Sequence, residues 1–141
     1  MNPLIQFHSK RVKFKLKNQS KAQAWLLEIA AKYKKEIVEL NYIFCSDNHL
    51  LKINQNFLNH DYYTDIITFD NNPAPSKKIM GDIFISIHRV KDNAKQYGVS
   101  FEEELNRVIA HGLLHLCGLK DKTPTDEKKM RRAEEEALKL K

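Results

Sequence analysis

The sequence predicts an α+β domain: a small mixed sheet of about four strands packed with about five helices, with a metal site near the end of one helix. Three observations carry this. Period-two alternation of apolar residues appears in four short runs, and capped segments with helical spacing separate them and then dominate the second half. The chain has 141 residues, 42% of them hydrophobic, which suits one core across residues 1–141 better than two smaller ones.

The elements follow in order. Leu4-Ile5-Gln6-Phe7, and then Val12, Phe14 and Leu16 alternating with Lys13, Lys15 and Lys17, read as a half-exposed strand with its lysines in solvent. Ser20 with Gln23 forms a capping box, and Ala22, Leu26, Ile29, Ala30 and Tyr33 then recur at helical spacing. Val38, Leu40, Tyr42 and Phe44 alternate in a run whose other face holds Ile37, Ile43 and Cys45, as in an interior strand. A second helix starts after Ser46-Asp47 and carries Leu50, Leu51, Ile53, Asn54 and Phe57 before the polar stretch 59–61. Residues 65–69 and 79–87 read as two strands joined by a loop holding Pro73 and Pro75. A helix over about residues 88–97 closes at Gly98, and Ser100 with Glu103 caps the next, striped by Leu105, Val108, Ile109, Leu113 and Leu116 up to Gly118. Thr123-Pro124 opens the last helix through Met130, Ala133 and Ala137. The Lys77-Lys78 loop and the charged tail after Ala133 are expected at the surface.

The net charge of +6 and pI near 9.3 suit a polyanionic partner. Residues 1–35 hold nine Lys or Arg against Glu28 alone, which leaves the rest of the chain at net −2. The positive potential is therefore one-sided, as on a solvated basic face or a nucleic-acid contact. Cys45 and Cys117 sit in apolar surroundings as small buried hydrophobes, not a disulfide framework. No run approaches 18 apolar residues, and the start lacks a charged region followed by a long apolar one, so the expected location is cytoplasmic, away from membranes.

The chemistry concentrates at His111-Gly112-Leu113-Leu114-His115. Residues four apart on a helix share a face with Cβ atoms about 6 Å apart, so two imidazoles converge on one ion. Gly118 supports a left-handed turn that returns the chain and brings Asp121 within reach. Two His and one carboxylate leave a fourth tetrahedral position open, the mark of catalytic zinc, though the same donor set also serves non-haem iron. A metalloprotease would carry glutamate where Gly112 stands, which counts against that class. Gly112 itself implies a close approach to the helix backbone, either by a ligand or by a neighbouring strand.

The run His111-Gly112-Leu113-Leu114-His115-Leu116-Cys117-Gly118 resembles the signature of the YbeY family of ribosome-maturation endoribonucleases. Thr64-Asp65-Ile66-Ile67-Thr68-Phe69 and Gly81-Asp82-Ile83 with Ile85-Ser86 are similar to two further family motifs, so the resemblance spans roughly residues 50–130. It implies a zinc-dependent, single-strand-specific endoribonuclease that matures the 3′ end of 16S ribosomal RNA and acts in late ribosome quality control, with ribosomal RNA and the small subunit as partners. Two positions depart from the family pattern. Asp121 stands where the family usually has a third His, and Leu58 where it commonly has an arginine held to engage RNA phosphate. His60, Lys77, Lys78 and Lys120 are the candidates to replace that cation. Asp65 and Asp82 match family positions as well, with loop-fixing hydrogen bonds as an alternative to chemistry.

The expected activity is therefore metal-assisted hydrolysis of RNA by an ion held at His111, His115 and Asp121. The alternative is a ribosome-assembly RNA-binding protein whose metal is structural. Ligand substitutions separate the two: the enzyme would still bind RNA without cutting it, whereas the binding protein would lose its fold or its RNA. An iron oxygenase would instead require stoichiometric iron and oxygen consumption.

Overall fold

Short hydroxyl side chains start most of the helices. In this computed structural model, which describes residues 3–72, 74 and 76–141, Ser46, Ser86, Ser100 and Thr123 each accept a hydrogen bond from the backbone N–H three residues on, at 3.0–3.1 Å. These caps open α2 (Asp47–Leu58), α3 (Ile87–Tyr97), α4 (Phe101–Leu116) and α5 (Pro124–Lys139). Helix α1 (Gln19–Lys32) begins differently, after Asn18 in a left-handed conformation without a side-chain cap. The expected Ser20–Gln23 box does not form. Gln23 Nε2 instead donates to the Ile5 carbonyl at 2.9 Å, so a tertiary partner in the first strand outcompetes the local one.

The strands are β1 (Leu4–Lys10), β2 (Glu36–Cys45), β3 (Ile66–Asp70) and β4 (Lys78–Ser86), in the sheet order β1-β2-β4-β3. β1, β2 and β4 run parallel, and β3 pairs antiparallel with β4 at one edge. The sheet is mixed, with four strands and five helices among the described residues, as expected from the pattern of the sequence. The loop predicted around Pro73 and Pro75 has those two residues outside the described set.

Two strand details differ from expectation. β1 ends at Lys10, and Arg11 turns the chain at φ 65, so residues 12–16 form no strand. Val12, Phe14 and Leu16 still pack on the core while Lys13, Lys15 and Lys17 stay exposed, because alternation needs only extended backbone and not a pairing partner. In β2 a register shift between Ile37 and Glu39 breaks the strict alternation, burying Ile37 and leaving Val38 half-exposed.

Alternating side chains pack a large cluster on one face of the sheet and a small one on the other. Leu40, Tyr42, Phe44, Ile83 and Ile85 pack with α1, α3, α4 and α5 on one face. Cys45, Ile67, Phe69 and Phe84 meet Leu50 and Ile53 of α2 on the other. Both cysteines are free and buried, and burial pushes their thiols up, Cys45 to about 12 and Cys117 to about 11. No described helix is long and apolar enough to cross a membrane.

Candidate metal centre

Helix α4 is seated by close packing. A Cβ on Gly112 would lie 2.9 Å from two atoms of Ile83 and 3.1 Å from Ile66, so the glycine exists to let α4 lie against β3 and β4. Strand packing, and not a ligand, is what approaches its backbone. The buried hydroxyl of Tyr42 donates to the Ile109 carbonyl at 2.8 Å, tying the helix to the sheet two residues before His111. Gly118 then takes φ 105 just after the helix and turns the chain back.

That turn brings Asp121 to the histidines. His111 Nε2 lies 3.4 Å from Asp121 Oδ2, His115 Nε2 lies 3.5 Å from Asp121 Oδ1, and the imidazole centroids are 5.2 Å apart. One donor atom from each residue falls within 4.8 Å of the others. Donors held about 2.0–2.2 Å from a tetrahedral ion stand roughly 3.3–3.6 Å apart, and each imidazole lies at that distance from one oxygen of the Asp121 carboxylate, His111 from Oδ2 and His115 from Oδ1. The residues fit a metal.

Beneath the trio lies a network that the sequence reading missed. Glu134 of α5, expected on the surface with the charged tail, is buried at 4% exposure and accepts a 2.7 Å hydrogen bond from His111 Nδ1–H. A carboxylate only accepts, so this bond fixes the tautomer and leaves Nε2 bare for the ion. Arg107 donates to both oxygens of Glu104, at 2.9 and 2.6 Å, and to Glu134 Oε1 at 2.9 Å. Burial pushes the Glu134 carboxyl up, but the His111 hydrogen bond and the Arg107 charge outweigh it and hold the group below the ordinary carboxylate range. The signals were present: Glu104, Arg107 and His111 are spaced for one helix face, and Glu134 falls on the stripe of Met130 and Ala137.

The trio opens into a cleft of about 410 Å³ lined also by Thr64, Asp65, Thr68, Asp70 and Arg107. Asp65 is pushed up by burial, against the opposing pull of Arg107 and His111, and accepts from Asn93 Nδ2 at 3.3 Å. Asp82 instead holds Asn41 and Asn71 at 3.1 and 3.0 Å, a loop-fixing arrangement. Of the candidate RNA-contacting residues, Lys78 lines the adjoining cleft with His115. Lys77 and Lys120 are exposed, and His60 stacks on Tyr62 with centroids 5.2 Å apart. Leu58 is exposed at the last turn of α2. The cation lining the trio's own cleft is Arg107.

Comparison with known proteins identifies the family. The family model described as Endoribonuclease YbeY matches residues 4–140. The protein named Endoribonuclease YbeY of Cytophaga hutchinsonii is 56% identical, with 94% of this chain and 92% of that protein covered. Its namesake in Flavobacterium johnsoniae is 50% identical over 89% and 88% of the two chains. Among solved structures, the solution structure of TM1509 from Thermotoga maritima superposes with a TM-score of 0.63 at 27% identity, covering 96% of this chain and 90% of that one. Match length and identity together leave one assignment: the chain belongs to the YbeY family of endoribonucleases, enzymes that cleave RNA.

Proposed function

We propose that the chain, acting as one domain, is a zinc-dependent endoribonuclease specific for single strands, with His111, His115 and Asp121 as its metal ligands. Its substrate in this reading is the 3′ end of 16S ribosomal RNA on the small subunit in the cytoplasm, and its activity extends to late ribosome quality control. The observation that carries it is the convergence of three donors at one cleft, with His111 already oriented through Glu134. A divalent ion bound there supplies a Lewis acid that polarises the scissile phosphate and acidifies water. Glu134 keeps His111 in the ligating tautomer, and Arg107 fixes Glu134 in that position through a 2.9 Å hydrogen bond. Asp65 offers a carboxyl on that wall that can take or hold a proton.

Substituting either His111→Ala or Asp121→Ala tests the reading. Each should abolish stoichiometric zinc in elemental analysis and lower cleavage of a single-stranded 16S 3′-end precursor by on the order of 10³-fold, because several kcal/mol of charge stabilisation are lost. RNA binding and the circular dichroism spectrum should persist. Cleavage by metal-free protein overturns the assignment, and variants that lose fold or RNA binding point to a structural metal instead.

A further inference from the structure

The carboxyl-terminal edge of the sheet carries features that the metal cleft does not use. Lys10, Cys45 and Ser86 lie in register at the ends of β1, β2 and β4, and the Ser86 N–H donates to the Asp65 carbonyl at 2.9 Å. Three strand-to-strand steps of about 4.8 Å thus separate Lys10 from Asp65, roughly 14 Å along this edge. Asp65 lines the metal cleft. At the other end Arg11, His49 and Lys52 line a second cleft with Phe57, which is 71% exposed.

That second cleft is positive. Lys10, Arg11 and Lys52 form no ion pair among the described residues. Burial first, and then the charges of these three cations, hold the His49 imidazole below its ordinary range, which places all three close enough to act on one ring. Clustered cations outside any ion pair create a local potential that favours a polyanion.

Tyr63 links the two clefts. The residue is 48% exposed, its hydroxyl donates to Asn48 Oδ1 at 3.2 Å beside the basic cleft, and the Arg89 guanidinium sits over one face of the ring, 5.2 Å from its centroid. Asp47 holds Arg89 at 2.8 Å. Thr64 and Asp65, next in the chain, line the metal cleft. An exposed aromatic ring fixed between a reaction cleft and a cationic one has the chemistry of a stacking platform for unpaired bases.

We propose that single-stranded RNA leaving the metal cleft continues along the carboxyl-terminal edge of the sheet, with a base on Tyr63 and its phosphates at Lys10, Arg11 and Lys52. The proposal rests on the endoribonuclease reading above and adds the path of its substrate. Fluorescein-labelled 2′-O-methyl oligouridylates, which resist cleavage, provide the probe at lengths of about four and about twelve nucleotides. The longer one should bind the wild-type protein about tenfold more tightly, with a log K against log salt slope steeper by about 2, as expected for three phosphate contacts on a single strand. Lys10→Gln/Arg11→Gln/Lys52→Gln should remove both the gain and the added slope without changing thermal melting. Tyr63→Leu should lose part of the gain, and Tyr63→Phe should keep it. An equal charge change elsewhere, Lys21→Gln/Lys95→Gln/Lys129→Gln, should leave both intact. Full retention of the gain in the edge variant, or an equal loss in the charge control, overturns the proposal. Failure of the wild-type protein to cut unmodified single-stranded RNA strikes the endoribonuclease reading instead, since these binding measurements do not depend on cleavage.

Discussion

His111 divides its two ring nitrogens between two duties. Nδ1–H is committed to Glu134 at 2.7 Å, so Nε2 faces Asp121 with its lone pair free. Partners of this kind orient a ligand and raise its basicity, and losing one typically weakens metal binding about 10–100-fold. Glu134→Gln should therefore lower zinc affinity by about that factor in competition against a chromophoric chelator, while the trio itself remains. The three donors were legible in the sequence because i, i+4 spacing on a helix dictates a shared face, and a glycine three residues past His115 signals the turn that returns Asp121. Glu134 was not legible in the same way. It lies 23 residues from His111 on a different helix, and charge alone assigned it to solvent.

At the level of elements, caps separate local from tertiary control. Ser100 accepts from Glu103 N–H at 3.0 Å, whereas Ser20 caps nothing because α1 starts from Asn18. Ser100→Ala should cost about 1 kcal/mol in urea denaturation. Ser20→Ala should stay within about 0.5 kcal/mol of wild type. The caps of α2, α4 and α5 were recoverable from residue order, α3 was recognised from Gly98 at its end and not from Ser86 at its start, and in α1 Gln23 found a partner in β1. The stretch after Arg11 shows the same limit: inward and outward faces followed from alternation, but whether residues 12–16 joined the sheet depended on a neighbour that the pattern does not encode.

Across the whole molecule, Arg107 joins α4 to α5 and the fold to the site. Glu104 and Glu134 are only 2% and 4% exposed, and the guanidinium between them hydrogen-bonds both carboxylates. Arg107→Met should destabilise the protein by about 3–5 kcal/mol in equilibrium unfolding, because it leaves buried carboxylates without their cation. Zinc affinity should fall in the same variant through the loosened Glu134, so one substitution registers in both measurements. From residue order alone, the α+β class, the strand and helix order and the His111, His115, Asp121 trio could be derived, because each depends on short-range periodicity, a cap or a turn residue. Tertiary structure decided which side chains reach the trio from elsewhere: Glu134 from α5 beneath His111, Arg107 at the cleft wall holding Glu134, and Ile83 and Ile66 against Gly112. Those partners meet through packing between distant segments, and burial there reverses what charge and composition predict for a carboxylate in solvent.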